Sequence, residues 1–254
     1  MNFASLKPSF DTEGYVVIRG FLPPDDLARL KENLDRYIRD VVPHVPPGDA
    51  FYDDKTRPET LKQMHRIEQD PFFADYLRHP LWKSAAEALL GEPADVPSGA
   101  EWFNKPPGTQ HATPPHQDNF YFCLAPPQVL TMWLALDPVD EENGCLRYIP
   151  GSHLRGVRPH RRTKTLGFSQ GIADYSDADR TGEVAIFAQG GDVLIHHGNM
   201  IHRANANRSS TRHRRSFGMV FQASSCRRDE DAFARYSQAA KEQHQELGLE
   251  AAKR

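Results

Sequence analysis

The spacing of apolar and polar residues differs between the two parts of this chain, and it changes near Gly91. Before that point, apolar residues recur every three or four positions, which is typical of helices that bury one face. One β-branched run, "GYVVIRGF", interrupts the helical pattern early and predicts a strand. The elements predicted here are a strand at 14–21, helices near 27–41, 71–78 and 81–90, and a loop rich in Pro, Gly and Asp at 43–58.

After Gly91 the pattern changes to short apolar runs that are separated by Pro, Gly, Asn and Asp. About eight short strands with turn residues between them predict an antiparallel sandwich or jelly roll. The polar segment 155–182 is weakly patterned and is expected to form a surface excursion or a lid. The strands are predicted near 100–105, 117–124, 129–137, 145–149, 183–188, 192–197, 201–204 and 217–224.

The chain shows no internal repeat and no linker that separates two domains. We therefore expect one domain over 1–254 with a mainly β fold and flanking helices. Its predicted parts are a helix-rich segment at 1–99, a sheet core at 100–225, and a charged C-terminal helix at 226–254.

Composition excludes several classes of protein. With 39% hydrophobic and 26% charged residues, the 254-residue chain resembles an ordinary globular domain, and its net charge of −3 argues against coating of nucleic acid or membranes. Three distant cysteines, Cys123, Cys145 and Cys226, indicate reduced thiols. The first ten residues lack the basic and apolar regions typical of a secretory leader, so we expect none, and no apolar stretch approaches the ~18 residues of a membrane span. We expect a cytoplasmic protein with a small-molecule substrate and no nucleic-acid or membrane partner; the oligomeric state is left open.

A histidine and an aspartate stand two positions apart in "TPPHQDNFYFCL", at His116 and Asp118. Side chains two positions apart share one face of a strand, so both would project from the same wall of a sheet. A third ligand is available in "GGDVLIHHGNMIHRANAN", where His202 follows a turn. Two histidines and one carboxylate form the facial triad of non-heme Fe(II) oxygenases. Spacing alone leaves other histidines open as ligands, namely His111, His153, His160, His196 and His197.

Three longer blocks carry a resemblance to a known family. "PPHQDNFYF", "LTMWLALDPVDEENGCLRYIPGSH" and "GDVLIHHGNMIHRANANRSSTRHRRSF" together resemble the phytanoyl-CoA dioxygenase family of Fe(II)- and 2-oxoglutarate-dependent oxygenases. The resemblance implies a double-stranded β-helix, or jelly roll, with Fe(II) held by His116, Asp118 and His202. It implies that O2 and 2-oxoglutarate are consumed, that succinate and CO2 are released, and that an aliphatic C–H bond of a small metabolite or acyl thioester is hydroxylated. Similar halogenases lack the carboxylate ligand, so Asp118 favours hydroxylation.

The same resemblance implies a site for 2-oxoglutarate. Its distal carboxylate needs a cation, and the planar fork of an arginine is the natural partner. In the family this arginine lies on the strand after the distal histidine, which implies Arg214 in "RHRRSF"; a shift in register would place Arg212 or Arg215 there. Lys105 in "FNKPPG" and Trp133 in "LTMWLAL" match a lysine and an aromatic residue that contact the co-substrate.

Substrate contacts are expected beside the metal-bearing run. A CoA thioester would also need a cationic surface near the mouth, which a basic stretch on the excursion would supply if it is not simply solvated. The substrate candidates are Asn104, Asn119, Tyr121 and Gln128, and the basic stretch comprises Arg155, Arg158, Arg161, Arg162 and Lys164.

Three other functions fit parts of the sequence. The basic run "RSSTRHRR" is compatible with phosphate or nucleic-acid binding, but it lacks the interleaved aromatic residues of a single-strand platform. The same triad with zinc would give a hydrolase, which has no use for an arginine anchor. A non-catalytic jelly roll would bind metal or ligand without turnover.

Overall fold

The structure is a computed structural model that describes residues 2–46, 48–95, 99–163 and 170–246, with side chains as far as residue 239. Within these residues the helices are α1 Lys7–Glu13, α2 Pro24–Asp40, α3 Pro71–Leu77, α4 Pro80–Leu90, α5 Asn119–Phe122, α6 Asp177–Thr181 and α7 Glu230–Glu246. The strands are β1 Tyr15–Ile18, β2 Ala50–Tyr52, β3 Leu61–Met64, β4 Ala94–Asp95, β5 Ala100–Lys105, β6 Thr113–His116, β7 Leu124–Ala125, β8 Val129–Ala135, β9 Leu146–Tyr148, β10 His160–Arg162, β11 Gln170–Ile172, β12 Val184–Ile186, β13 Val193–His197, β14 His202–Ala204, β15 Arg214–Ala223 and β16 Arg227–Arg228.

Two antiparallel sheets form the centre of the fold. The larger sheet has the order β1-β13-β8-β15-β5-β3-β2, with β4 beside β15, and the smaller has the order β12-β9-β14-β6. Trp133 and Leu194 of the larger sheet pack with Leu146 and Tyr148 of the smaller one in a single buried cluster. The larger sheet therefore has an inner face toward the smaller sheet and an outer face away from it, and the predicted jelly roll is confirmed.

Helices from the first hundred residues cover the outer face of the larger sheet. Leu30 and Leu34 of α2 and Trp82 of α4 share a buried cluster with Leu134 and Phe217 of the sheet. Burial of each such side chain contributes about 1.5–3 kcal/mol, so the apolar stripe predicted at 27–41 stabilises the sheet as well as the helix. No described helix is both long and apolar enough to cross a membrane.

One predicted strand is wrong, and it is the one that carries the metal motif. The run 117–124 was expected to be extended, but β6 ends at His116 and a helical turn, α5, follows at once. Asp118 has helical dihedral angles (φ −62°, ψ −37°) and precedes that turn, which ends at Cys123 with φ 53°. Periodicity does not separate strand from helix in so short an apolar run. The aromatic rings of the turn pack against α7, where Phe120 lies 6.1 Å from Tyr236 between ring centroids.

Two further regions differ from expectation. The predicted loop at 43–58 contains β2, which pairs with β3 at the edge of the larger sheet. The expected excursion at 155–182 contains a hairpin of β10 and β11 followed by α6, although residues 164–169 lie outside the described part of the chain. The other predicted strands and helices are observed within a few residues of their expected bounds. The three-part division of a single domain stays a prediction.

Asp192 joins the end of β1 to the start of β13. Its buried carboxylate accepts hydrogen bonds from the backbone N–H of Gly20 and of Gln189 and from Arg19, each at 2.8 Å. Burial raises the pKa of this carboxyl, but the hydrogen bonds of Gln189 and Arg19 outweigh burial and lower it overall. The ionised form therefore stabilises the fold.

We expect Asp192→Asn to lower the free energy of unfolding by about 1–3 kcal/mol, because an amide presents a donor where a carboxylate accepts. The folded-state pKa lies below the unfolded one, so the stabilisation is present above the unfolded pKa and is lost as pH falls through the folded pKa. Urea unfolding of both proteins from pH 7 to pH 3 would measure this. Asp177→Asn, at an exposed position, is the control. Equal midpoints for wild type and Asp192→Asn at pH 7 would contradict the expectation.

Candidate metal centre and co-substrate pocket

Three side chains from two neighbouring strands converge on one point. β6 and β14 pair so that His116 lies opposite His202, and Asp118 follows two residues after the end of β6. One ligand atom from each of the three residues lies within 4.8 Å of the others. Asp118 Oδ1 is 3.5 Å from Nε2 of His116 and 3.6 Å from Nε2 of His202. The convergence comes from cross-strand pairing and a tight turn, and not from the alternation along one strand that the spacing of His116 and Asp118 predicts.

The chain around the aspartate is held by the turn that precedes β14. Gln117, between the two ligands, donates through Nε2 to the carbonyl of Asn199 at 2.7 Å. The backbone N–H of Asn119 donates to the carbonyl of Gly198 at 2.8 Å. A Cβ at Gly198 would lie 2.5 Å from a methyl carbon of Val129, so only glycine allows this close approach. The two segments that carry the ligands are therefore locked to each other.

Backbone carbonyls select the ring tautomers of both histidines. Nδ1 of His116 lies 2.8 Å from the carbonyl of Pro114, and Nδ1 of His202 lies 3.0 Å from the carbonyl of Met200. A carbonyl only accepts hydrogen bonds, so each Nδ1 carries the proton and each Nε2 presents a lone pair. These partners also orient the rings toward the shared point.

The electrostatics favour the deprotonated forms that metal binding requires. Burial, and then the neighbouring His116, hold the pKa of His202 well below its usual value. Burial alone raises the pKa of the Asp118 carboxyl, but the surrounding imidazoles, among them His196, which is hydrogen bonded to it, hold this pKa well below its usual value. The donor set of two imidazole nitrogens and one carboxylate oxygen suits Fe(II) and leaves coordination positions open. The residues present thus fit an iron ion.

The other candidate histidines lie elsewhere or have another role. His196, on the inner face of β13, is hydrogen bonded through Nε2 to Asp118 Oδ2 at 3.1 Å. The next residue, His197, lies beside His153 with 5.2 Å between ring centroids. His160 stacks on a phenylalanine ring, Phe120, at 4.0 Å, and the side chain of His111 is exposed.

Sequence reasoning missed two side chains at the centre, Thr131 and Tyr148. The hydroxyl of Thr131 on β8 donates to Asp118 Oδ2 at 2.6 Å. The hydroxyl of Tyr148 on β9 lies 2.9 Å from Nδ1 of His196. Their signal in the sequence is only a polar atom at an inward strand position, which is not distinctive.

A second cluster of polar side chains lies on the inner face of the larger sheet. Arg214 opens β15 directly opposite Lys105 at the end of β5, and both side chains are buried. The guanidinium carbon of Arg214 lies 5.4 Å from the centre of the Trp133 ring, on the neighbouring strand β8. Nζ of Lys105 donates to the carbonyl of His111 at 2.9 Å. The structure therefore brings together the three residues expected at the co-substrate.

The two basic side chains of this cluster, Lys105 and Arg214, are buried without an acidic partner among the described residues. Burial, and then the adjacent Arg214, hold the pKa of Lys105 well below its usual value. Burial also lowers the pKa of Arg214 to about 10, which leaves it charged at neutral pH. Nε of Arg214 is buried without a hydrogen-bond partner among the described residues. A buried cation without a partner is costly, so the cluster favours an anion.

The two alternative arginines have acidic partners. Arg212 is partly exposed and bonded to Asp140 and Glu142. Arg215 points to the other side of the sheet, where Nε and Nη2 both bond to Asp137 at 2.8 Å. Only Arg214, of these three, is buried and lacks a carboxylate partner within the described residues.

Comparison with known proteins decides the family, because a family model described as phytanoyl-CoA dioxygenase matches residues 10–216. The chain belongs to the phytanoyl-CoA dioxygenase family. Peroxisomal phytanoyl-CoA dioxygenase of Mus musculus is 26% identical over 233 residues, which are 85% of this chain and 67% of that protein. A probable alpha-ketoglutarate-dependent hypophosphite dioxygenase of Stutzerimonas stutzeri is 25% identical over 219 residues, 84% of this chain and 76% of that protein.

A solved structure shares the fold of this phytanoyl-CoA dioxygenase family member. The epimerase SnoN, in complex with Fe3+, alpha ketoglutarate and nogalamycin RO, superposes with a TM-score of 0.68 at 22% identity and covers 88% of this chain and 84% of its own. The family match confirms the enzyme class expected from the three sequence blocks, a non-heme iron oxygenase that uses 2-oxoglutarate and O2.

Two of the substrate candidates in this family member form hydrogen bonds with backbone carbonyls. Asn104 lies on the outer face of the larger sheet, where it bonds to the carbonyl of Leu61 and to His213. Strand alternation turns it away from the inward Lys105, so the structure does not bring it to the co-substrate cluster, and its role toward substrate stays a prediction. Asn119 uses both polar atoms of its side chain on the backbone of Leu124 and so braces α5, and its role toward substrate also stays a prediction.

The other two substrate candidates are Tyr121 and Gln128. The ring of Tyr121 lies 6.1 Å from the ring of His116 between centroids, and its hydroxyl donates to the carbonyl of Gln170. The backbone of Gln128 binds β15 through the N–H of Ala223 at 2.8 Å, and its role toward substrate stays a prediction.

The basic stretch of the excursion is partly neutralised. Arg158 is bonded to Asp174 and Asp179, each at 2.9 Å. Arg161 and Arg162 are exposed on β10, and Arg155 is exposed after β9. The remaining member, Lys164, lies outside the described residues.

Proposed function

We propose that the protein hydroxylates an aliphatic C–H bond of a small metabolite or acyl thioester and releases succinate and CO2. In this proposal His116, Asp118 and His202 hold Fe(II), and Arg214 anchors the distal carboxylate of 2-oxoglutarate. The observation that carries the proposal is the presence, in the same jelly roll, of a His-Asp-His triad and of a buried arginine that has no carboxylate partner among the described residues. A zinc hydrolase would have no use for the second feature.

The residues around the proposed co-substrate site would bind and orient 2-oxoglutarate. Arg214 and Lys105 lie side by side, so both can donate hydrogen bonds to the distal carboxylate, and the arginine fork matches a carboxylate in two hydrogen bonds. The ring of Trp133 forms an apolar wall against the guanidinium and excludes water from one side. Iron, when bound, supplies the activation of O2. Asp118 completes the triad, which supports hydroxylation over halogenation.

A small-molecule substrate is supported by the relatives and by the aromatic residues beside His116. The two relatives are named for phytanoyl-CoA and for hypophosphite, neither of which is a polymer. Tyr121 and Phe120 of α5, with Tyr236 of α7, form an aromatic cluster beside His116. Such a cluster suits a partly apolar substrate, and Tyr121 is the residue proposed to contact it.

The function is tested by anaerobic reconstitution with Fe(II), followed by addition of air, 2-oxoglutarate and fractionated metabolite pools. We expect succinate to form only with iron and O2, and to rise with the fraction that holds the substrate. Zn(II)-loaded protein is the matched control and should form none. If iron-loaded protein binds 2-oxoglutarate but yields no succinate in any pool, a binding protein is the better description. If it does not bind 2-oxoglutarate at all, the proposed co-substrate site is wrong.

A further inference from the structure

The two oxygens of Asp118 have different surroundings. Oδ1 lies toward the Nε2 atoms of His116 and His202, at 3.5 and 3.6 Å. Oδ2 lies 2.6 Å from the hydroxyl of Thr131 and 3.1 Å from Nε2 of His196. Both neighbours of Oδ2 come from the larger sheet, opposite the sheet that carries the histidine ligands. One oxygen therefore faces the proposed metal, and the other is bound within the protein.

The direction of the hydrogen bonds follows from the chemistry of the groups. A carboxylate only accepts, so Nε2 of His196 carries a proton and donates to Asp118 Oδ2. In the neutral ring Nδ1 is then an acceptor, and the hydroxyl of Tyr148, 2.9 Å away, donates to it. Tyr148 is 0% exposed and His196 is 2% exposed, so water does not compete for either hydrogen bond. These hydrogen bonds form a series in which Tyr148 donates to His196 and His196 donates to Asp118.

We propose that Tyr148 and His196 are positioning residues that hold Asp118 so that Oδ1 alone reaches the metal. A carboxylate that binds a metal through one oxygen occupies one coordination position, whereas a two-oxygen mode occupies two. The hydrogen bonds to Oδ2 thus preserve the open positions that the co-substrate and O2 need. This inference rests on the proposed metal site. Partners of this kind typically change metal affinity by about 10–100-fold when they are removed.

The chain offers a matched control one residue away. His196 and His197 are adjacent on β13, so their side chains lie on opposite faces of the larger sheet. The ring of His197 lies 6.2 Å from that of Phe10 on α1 and accepts a hydrogen bond from the N–H of Asn199. Substitution of His197 therefore perturbs the same strand without contact with Asp118.

The test measures Co(II) and Fe(II) dissociation constants by anaerobic titration of the full chain, with thermal unfolding of each metal-free variant beside it. We expect His196→Phe to weaken metal binding by about 10–100-fold. His196→Gln keeps an N–H donor at the position of Nε2 and an acceptor for Tyr148, so it should restore most of the affinity. Tyr148→Phe removes one hydroxyl and keeps the ring, and we expect a loss of about 10-fold, at the low end of that range. His197→Gln, which keeps an acceptor for the N–H of Asn199, should stay within about twofold of wild type.

Each outcome bears on one part of the inference. Metal affinity within twofold of wild type in both His196→Phe and Tyr148→Phe would overturn it. Equal losses in His196→Phe and His196→Gln would show that His196 only packs. If His196→Phe does not fold, the comparison of Tyr148→Phe with His196→Gln decides, because both keep the shape of the core. His116→Ala is the separate arm for the metal site: if it binds metal as tightly as wild type, the proposed site itself is wrong.

Discussion

Replacement of His202 by alanine is expected to abolish high-affinity metal binding and succinate formation. His202 is the ligand that β14 supplies opposite His116, and its ring is buried and oriented by the carbonyl of Met200. Without it, His116 and Asp118 form only a two-atom site from one short segment. Such a site holds iron weakly, because affinity depends on ligand number and geometry as well as ligand type. The measurement is metal content and Fe(II) affinity under anaerobic conditions, followed by the succinate assay.

The control for this variant is His111→Ala. His111 precedes β6 and was equally eligible as a ligand by spacing, but its side chain is exposed. We expect His111→Ala to bind metal as wild type does. If His202→Ala keeps wild-type metal affinity and His111→Ala loses it, the third ligand has been assigned to the wrong histidine.

Replacement of Arg214 by methionine is expected to weaken 2-oxoglutarate binding and, at the same time, to leave the metal-free fold equally or more stable. Loss of one partner of a buried charge pair costs about 2–5 kcal/mol, which corresponds to a rise in Kd of about 30- to 5,000-fold. Arg214 has no carboxylate partner among the described residues, so its buried charge destabilises the folded state when no anion is bound. Isothermal titration with 2-oxoglutarate and thermal unfolding would measure the two effects.

The neighbouring arginines are internal controls. Arg215→Met leaves Asp137 without its two-point partner, so it should lower stability while 2-oxoglutarate affinity is retained. Arg212→Met, which breaks a partly exposed ion pair, should change neither by much. If Arg212→Met or Arg215→Met loses 2-oxoglutarate affinity and Arg214→Met does not, the distal carboxylate is bound by another residue and the assignment of Arg214 is wrong.

The sequence predicted residue types better than local shapes at the metal centre. His116 and Asp118 were expected to share one face of a strand, yet the strand ends at His116 and a helical turn carries the carboxylate. The motif was recognisable because its residue types and the sequence blocks beside it can be read directly from short stretches of the sequence. Its conformation depends on packing of the aromatic turn against α7, more than a hundred positions later, which a local pattern does not contain.

The substrate candidates show the same limit in another form. Asn104 and Lys105 are adjacent in the chain, but alternation sends them to opposite faces of β5. Position near the motif therefore could not distinguish a residue that faces the co-substrate cluster from one that braces the sheet. Strand register made the distinction, since the pairing of Lys105 with Arg214 marks the inner face.

By itself, the sequence determined the enzyme class, the jelly-roll fold, the helices that cover it, and a short set of ligand types, because periodicity and motif order are properties of neighbouring residues. Only the tertiary structure decided which of the described histidines meet, which of Arg212, Arg214 and Arg215 lacks an acidic partner within the described residues, and that His196 is hydrogen bonded to Asp118. These choices depend on the registers of β6 with β14 and of β5 with β15. Such registers are set by the packing of segments far apart in the chain, and no local pattern records them.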